Sequence, residues 1–313
     1  MSNLFTEKIM FVMSYMLMLS LFMGANSFIV FWIFMEVNMM LFLCVINFAG
    51  LSSNLSSDKE SGLYYFLMQS LGSIGFLTSF LFLSYDDVST QIFSVLSLML
   101  KLGLPPFHFW MFKLSVHINK FSLAVLLTLQ KAPLVVFLFF FYSGMMTGLS
   151  SVFLVLGSLM MIGSRSLIFL LVSSSIYLTG WLLVIFSKFF WGFMIFYFLY
   201  FLMVVLLFQG SESCYWMYNL NSKLFISFLF FLGLPPMPMF FFKFYAFDAI
   251  MANFTLGLLV ALVFSSFVAL MGYFKFFFSS FTNKNFLYHS VSKPSSMYVF
   301  MSLSVMSAIV FLS

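Results

Sequence analysis

The chain has 313 residues, of which 64% are hydrophobic and only 7% charged; a soluble domain carries about 25% charged residues to keep its surface wet, so no aqueous fold could hide this much apolar surface. The net charge of +5 comes from Lys and Arg scattered singly, without a basic run or arm, which argues against a nucleic-acid partner. Cys44 and Cys214 give neither a disulfide framework nor a metal-ligand spacing.

A membrane span takes about 20 mostly apolar residues. Apolar runs between polar or Gly/Ser/Asn-rich breaks predict an all-α polytopic membrane bundle, a single transmembrane domain over 1–313. Eleven spans are expected, at 9–24, 27–50, 63–84, 92–111, 121–142, 148–163, 167–187, 189–209, 223–243, 254–278 and 297–312. Only Gly163 to Ser166 separates the sixth from the seventh. The N-terminal segment Met1 to Lys8 has neither a transit-peptide pattern nor a cleavage signal and is expected to be retained. Asp58-Lys59-Glu60 and Asp86-Asp87 read as loop charges, and His117 and His289 as solvated loop histidines.

An odd number of spans puts the two ends on opposite faces. The face holding the N-terminus then collects Lys8, Lys59, Lys113, Lys120, Arg165, Lys223, Lys275, Lys284 and Lys293, whereas the other collects Lys188. Basic residues accumulate on the side from which a chain is inserted, so this bias both orients the chain and supports the span count.

Glu36, Lys101, Lys131 and Lys243 fall inside apolar spans. A charge at the bilayer centre costs about 2.5 to 3.5 kcal/mol even on lenient scales, so such residues face a protein interior or water and commonly serve transport. The structural alternative is an ion pair or snorkelling, which suits Lys243, nearest a span end, better than Lys131.

Gly-Leu-Pro-Pro occurs at Gly103 to Pro106 and again at Gly233 to Pro236, each inside a long apolar run. Proline removes a helix donor and clashes with the preceding turn, which predicts two broken helices. Freed backbone groups cannot face lipid, so each break belongs in protein or beside water. The two lie five spans apart and cross the membrane in opposite senses, the pattern of inverted repeats, with halves at roughly 63–187 and 189–296. A lysine accompanies each, Lys101 and Lys243, and Pro133 is expected to loosen the backbone beside Lys131.

The stretch Lys101-Leu-Gly-Leu-Pro-Pro-Phe-His-Phe-Trp110 resembles the signature of the NADH dehydrogenase subunit 2 family of respiratory complex I. Further pieces follow in the family's order: Phe31-Trp32 to Glu36 with Asn38, Leu127 to Pro133, and Gly233-Leu-Pro-Pro to Lys243. Together they span roughly residues 27 to 245. The resemblance implies an antiporter-like fold whose animal members lack three N-terminal helices of bacterial relatives. It also implies a proton relay of Glu36, Lys101, Lys131 and Lys243, with His108 matching the signature histidine. The chain differs from the family at Phe112-Lys113, at Leu178, where a histidine is usual, and in a segment near Lys131 that is one residue shorter. A link from Lys101 to Lys131 would then run through water or Tyr177.

The same resemblance implies a mitochondrial inner-membrane protein, its N-terminus in the matrix and its C-terminus in the intermembrane space, acting in H+-translocating NADH:ubiquinone reductase. Its partners would be other complex I subunits, above all neighbouring antiporter-like ones, and the lipid bilayer. With no Gly-rich phosphate loop or cysteine cluster here, NAD, FMN, iron–sulfur clusters and ubiquinone are expected in partner subunits. Trp110 and Trp216, with nearby lysines, could contact anionic lipid such as cardiolipin. Three rival readings remain open: a structural spacer without its own proton path, a larger antiporter-like subunit of the same complex, which would be expected to be longer with more helices, and a free-standing cation/proton antiporter, which would be expected to carry paired intramembrane carboxylates.

Overall fold

The computed structural model describes residues 2–24, 27–51, 56–82, 88–142, 145–186, 190–209, 238–251 and 256–282. They form helices α1 (Ser2–Met23), α2 (Phe28–Leu51), α3 (Ser56–Phe82), α4 (Val88–Leu102), α5 (Phe109–His117), α6 (Lys120–Leu127), α7 (Lys131–Tyr142), α8 (Met146–Gly163), α9 (Leu167–Phe186), α10 (Phe190–Gln209), α11 (Pro238–Met251) and α12 (Leu256–Thr282), with no strand among the described residues. Each expected span up to the eighth and the tenth has a helical counterpart, the ninth is described only over 238–243, which are helical, and 164–166 does separate α8 from α9. The eleventh span, the second Gly-Leu-Pro-Pro, Lys188, Cys214, Trp216 and His289 lie outside the described residues. Cys44 is exposed on α2.

Three local expectations change. Residues 58–60 belong to the first turns of α3 rather than to a loop. His117 is exposed but closes α5 rather than sitting in a loop. Lys243 does not sit near a helix end, because α11 continues to Met251.

The helices pack as two compact units, Met1–Ser143 and Gly144–Ser313. In the first, the core is aromatic: the ring of Phe137 on α7 lies 4.8 Å from Phe31 and 5.2 Å from Phe76, with Phe22 and Phe28 completing the cluster. Edge-to-face pairs of this kind add to the area they bury. The Lys120–Leu138 stretch is 94% buried, against 39% for Phe28–Asn47, so the span carrying Lys131 is an inner one. Outer helices turn large apolar side chains such as Leu67, Leu71 and Ile74 outward, as a lipid-facing surface requires.

In the second unit α9 is innermost, buried over 89% of its length. Its Ser173, Ser174, Ser175 and Thr179 are buried, and each hydroxyl donates to a carbonyl three residues back on the same helix. Such back-bonding satisfies polar side chains without a partner helix. Gly157 on α8 lets the α9 backbone come close, since a Cβ there would lie 2.6 Å from the Tyr177 nitrogen. Small residues perform this role in membrane interfaces generally. At the end of α8, Lys275 of α12 donates to the Ile162 carbonyl at 2.7 Å, supplying one of the caps that a helix terminus lacks.

Gly157→Ala should lower the thermal stability of the detergent-extracted protein by about 1–3 kcal/mol, because the obstructing atoms are backbone. Gly148→Ala, which opens onto empty space, should leave the melting temperature unchanged.

Candidate functional site: buried lysines at broken helices

The first break follows from its residues. Gly103 takes φ +64°, a left-handed conformation that glycine adopts without a Cβ penalty, and it ends α4 one residue after Leu102. Gly103 N–H donates to the Leu100 carbonyl at 3.2 Å and Leu104 N–H to Met99 at 3.0 Å, the paired bonds of a Schellman cap. Pro105 and Pro106 then prevent resumption until α5 begins at Phe109. Lys101 thus sits in the last turn of α4, at the carbonyl end of the helix dipole, where a cation is favoured.

Side chains from other helices satisfy what the break exposes. Gln69 of α3 donates to the Lys101 carbonyl at 2.9 Å, and Trp110 of α5 reaches back to the Leu100 carbonyl at 2.9 Å. Trp110 is therefore buried, 4% exposed, and does not stand at the lipid interface as expected from sequence. Gly72 of α3 makes room for the lysine stem: a Cβ there would lie 2.5 Å from Lys101 Cγ.

The Lys101 ammonium lies 3.4 Å from Glu36 Oε1 on α2. Its side chain is 2% exposed and that of Glu36 26%, so the pair joins a buried cation to a carboxylate retaining some access. Removing one member of such a pair would strand the other, which costs about 3–5 kcal/mol.

The second break was expected from Pro133, and it falls at Thr128–Gln130, just ahead of that proline. Pro133 lies in the first turn of α7, where its missing donor is tolerated. Thr128 closes α6 with its N–H and hydroxyl both on the Ala124 carbonyl, and Gln130 N–H bonds to Val125. Lys131 opens α7 and is 4% exposed.

Gln130 ties this break to two other helices. Its carbonyl oxygen accepts from the Asn38 side-chain amide at 3.0 Å, and its own amide donates to the Tyr15 hydroxyl at 2.9 Å and to the Asn38 carbonyl at 3.0 Å. Asn38 is on α2, two residues from Glu36, so one amide sets the register between the carboxylate helix and the Lys131 break. Lys101, Lys131, Gln69, Gln130 and Tyr65 line a common cavity of about 10 Å³, about the size of one water.

In the second unit, Lys243 on α11 is half-buried. Its ammonium lies 5.7 Å from the ring centroids of both Tyr177 and Trp181 on α9, within cation–π range. Tyr177, considered from sequence as a link between Lys101 and Lys131, thus sits beside Lys243. Leu178, in the position of the family's histidine, is buried on the same helix. His108 precedes α5, half-buried, its ring against Phe109 at 4.2 Å and Phe112 at 5.8 Å.

Sequence reasoning followed the charges and gave no role to Gln69, Gln130, Asn38, Tyr15 or Tyr65. The available signal was an uncharged amide standing alone in an apolar span, as at Gln69, since such a group needs a partner there.

Helices interrupted beside buried lysines, in a chain with apolar outer faces, define a polytopic membrane protein of the antiporter-like fold. The chain is 33% identical over 284 residues to NADH-ubiquinone oxidoreductase chain 2 of Artemia franciscana, covering 85% of this chain and 86% of that one. The corresponding Anopheles gambiae protein is 28% identical over 68% of each. This chain belongs to the NADH-ubiquinone oxidoreductase chain 2 family. No family model matches it. Its fold resembles a chain of respiratory complex I from Thermus thermophilus with bound aureothin, with TM-score 0.66 and 20% identity, over 90% of this chain and 72% of that one. It also resembles a chain of the Mrp complex from Dietzia sp. DQ12-45-1b, with TM-score 0.65 and 14% identity, over 80% of this chain and 56% of that one.

Gly72→Ala should displace the Lys101 stem and lower thermal stability by about 1–3 kcal/mol, whereas Gly62→Ala on the same helix, with only Ile46 at 3.9 Å, should not. Gln130→Leu removes the partners of Asn38 and Tyr15 and should cost about 2–3 kcal/mol in the same melting experiment.

Proposed function

We propose that the chain translocates protons as a membrane-arm subunit of NADH:ubiquinone oxidoreductase, along a relay of Glu36, Lys101, Lys131 and Lys243. The observation that carries this reading is the Lys101–Glu36 pair, 3.4 Å apart, whose buried lysine lines the same small cavity as Lys131. Lysines beside interrupted backbone in an apolar interior are costly to bury, and such residues commonly serve transport.

The chemistry follows from solvation and charge. Burial strips a cation of water, and a carboxylate in contact compensates. With Glu36 against it, Lys101 holds its proton. When Glu36 withdraws toward its more exposed side, the compensation is lost and the proton passes to Lys131, and from there to Lys243. His108 would serve as a proton group at the margin of the first break.

The driving force comes from redox chemistry in partner subunits, which hold the NAD, FMN, iron–sulfur and ubiquinone sites. It reaches this chain through contacts with neighbouring antiporter-like subunits. The family and the basic-residue bias support placement in the mitochondrial inner membrane, N-terminus in the matrix. Against the free-standing antiporter reading, Glu36 has no second carboxylate beside it in its own helix, and among the described residues the helical carboxylate after α3, Asp248, lies far along the chain on α11. The structural-spacer reading draws on Leu178 replacing the histidine.

Lys131→Met in the complex reconstituted into vesicles should lower both proton pumping and NADH:quinone turnover by about a hundredfold, with assembly unchanged. Retention of both activities would favour the spacer.

A further inference from the structure

The step from Lys101 to Lys131 needs a group able to accept a proton on one side and release one on the other. Tyr65 on α3 is 1% exposed, and its hydroxyl, buried from solvent, has no hydrogen-bond partner among the described residues. A buried hydroxyl left in that state costs about 1–3 kcal/mol, so native proteins rarely keep one without a role or a bound water. Tyr65 lines the cavity shared by Lys101 and Lys131.

The rest of the cavity wall narrows the choice. The Gln69 amide is committed to the Lys101 carbonyl, and the Gln130 amide to Tyr15 and Asn38. The Tyr65 ring is held edge-on against Phe42, centroids 4.6 Å apart, and tilted against Trp110 at 6.1 Å. Trp110 is itself anchored to the first break. The hydroxyl's position is therefore set by packing, and the remaining space, about 10 Å³, suits one water with several polar neighbours.

We infer that Tyr65 holds the bridging water of the relay, its hydroxyl fixing in this cavity a single water that joins Lys101 to Lys131. This inference rests on the proposed lysine relay. In the transfer, an N–H bond at Lys101 breaks and its proton forms an O–H bond on the water. Another O–H bond of that water breaks in the same event and its proton forms an N–H bond at Lys131, while the Tyr65 hydroxyl keeps its own proton and holds the water in line. One positive charge moves, Lys101 ends neutral, Lys131 ends as an ammonium, and Tyr65 and the water are unchanged once the water turns back.

The test is Tyr65→Phe in the reconstituted complex, measured beside Lys131→Met. Phenylalanine keeps the ring contacts and removes only an unpartnered hydroxyl, so a purely structural role predicts equal or higher thermal stability and unchanged turnover. The bridging role predicts pumping and turnover lowered at least about tenfold at equal or higher stability. If Lys131→Met abolishes pumping while Tyr65→Phe is indistinguishable from wild type, the bridge is wrong and the relay stands. If neither substitution matters, the relay itself falls. A wild-type map that resolves ordered waters gives a check independent of any variant: density within hydrogen-bond distance of the Tyr65 oxygen and both lysine nitrogens is expected, and a dry cavity overturns the bridge.

Discussion

In hydrocarbon there is no solvent to complete a hydrogen bond or hydrate a charge, so every polar group of this chain must find its partner within the protein. That requirement organises the molecule. It forces helices on the apolar runs, it turns serine and threonine hydroxyls back onto their own helix in α9, and it draws other helices toward any place where the backbone is interrupted.

The two breaks of the first unit show how strongly this acts. Ending α4 at a Schellman cap exposes carbonyls that Gln69 and Trp110 then reach from α3 and α5. Ending α6 at Thr128 leaves a segment that Gln130 holds to Tyr15 on α1 and Asn38 on α2. Each break thereby becomes a point where several helices meet, and each carries a lysine. The lysines are buried because the breaks need enclosing, and the enclosure is what makes their protonation a matter of neighbours rather than of solvent. The aromatic cluster packs around Phe137 on α7, the helix that Lys131 opens.

The fold class was open to reading from residues alone, as was the division at 164–166 and the interruption at Gly103 to Pro106. The signature stretch pointed to the family. Other readings misplaced side chains. Trp110 looks interfacial when judged by residue type, yet it is buried because the Leu100 carbonyl needs a donor. Lys243 looks terminal when an apolar run is ended at it, yet α11 continues through Phe244 and Tyr245 to Met251 because Asp248 interrupts hydropathy without interrupting the helix. Tyr65 carried no signal at all, since a tyrosine in an apolar span is ordinary.

What the sequence by itself determined were properties that act over a few residues: apolar runs long enough to span, the left-handed glycine and paired prolines that stop α4, the proline that starts α7, and charges too costly to leave in lipid. What only the tertiary structure decided were partnerships between residues far apart in the chain. Glu36 meets Lys101 across 65 positions, Asn38 meets Gln130 across 92, and Gln130 meets Tyr15 across 115. No local pattern encodes such pairs, because which face of one helix meets which face of another is settled by the packing of all of them together, close approaches at single glycines included.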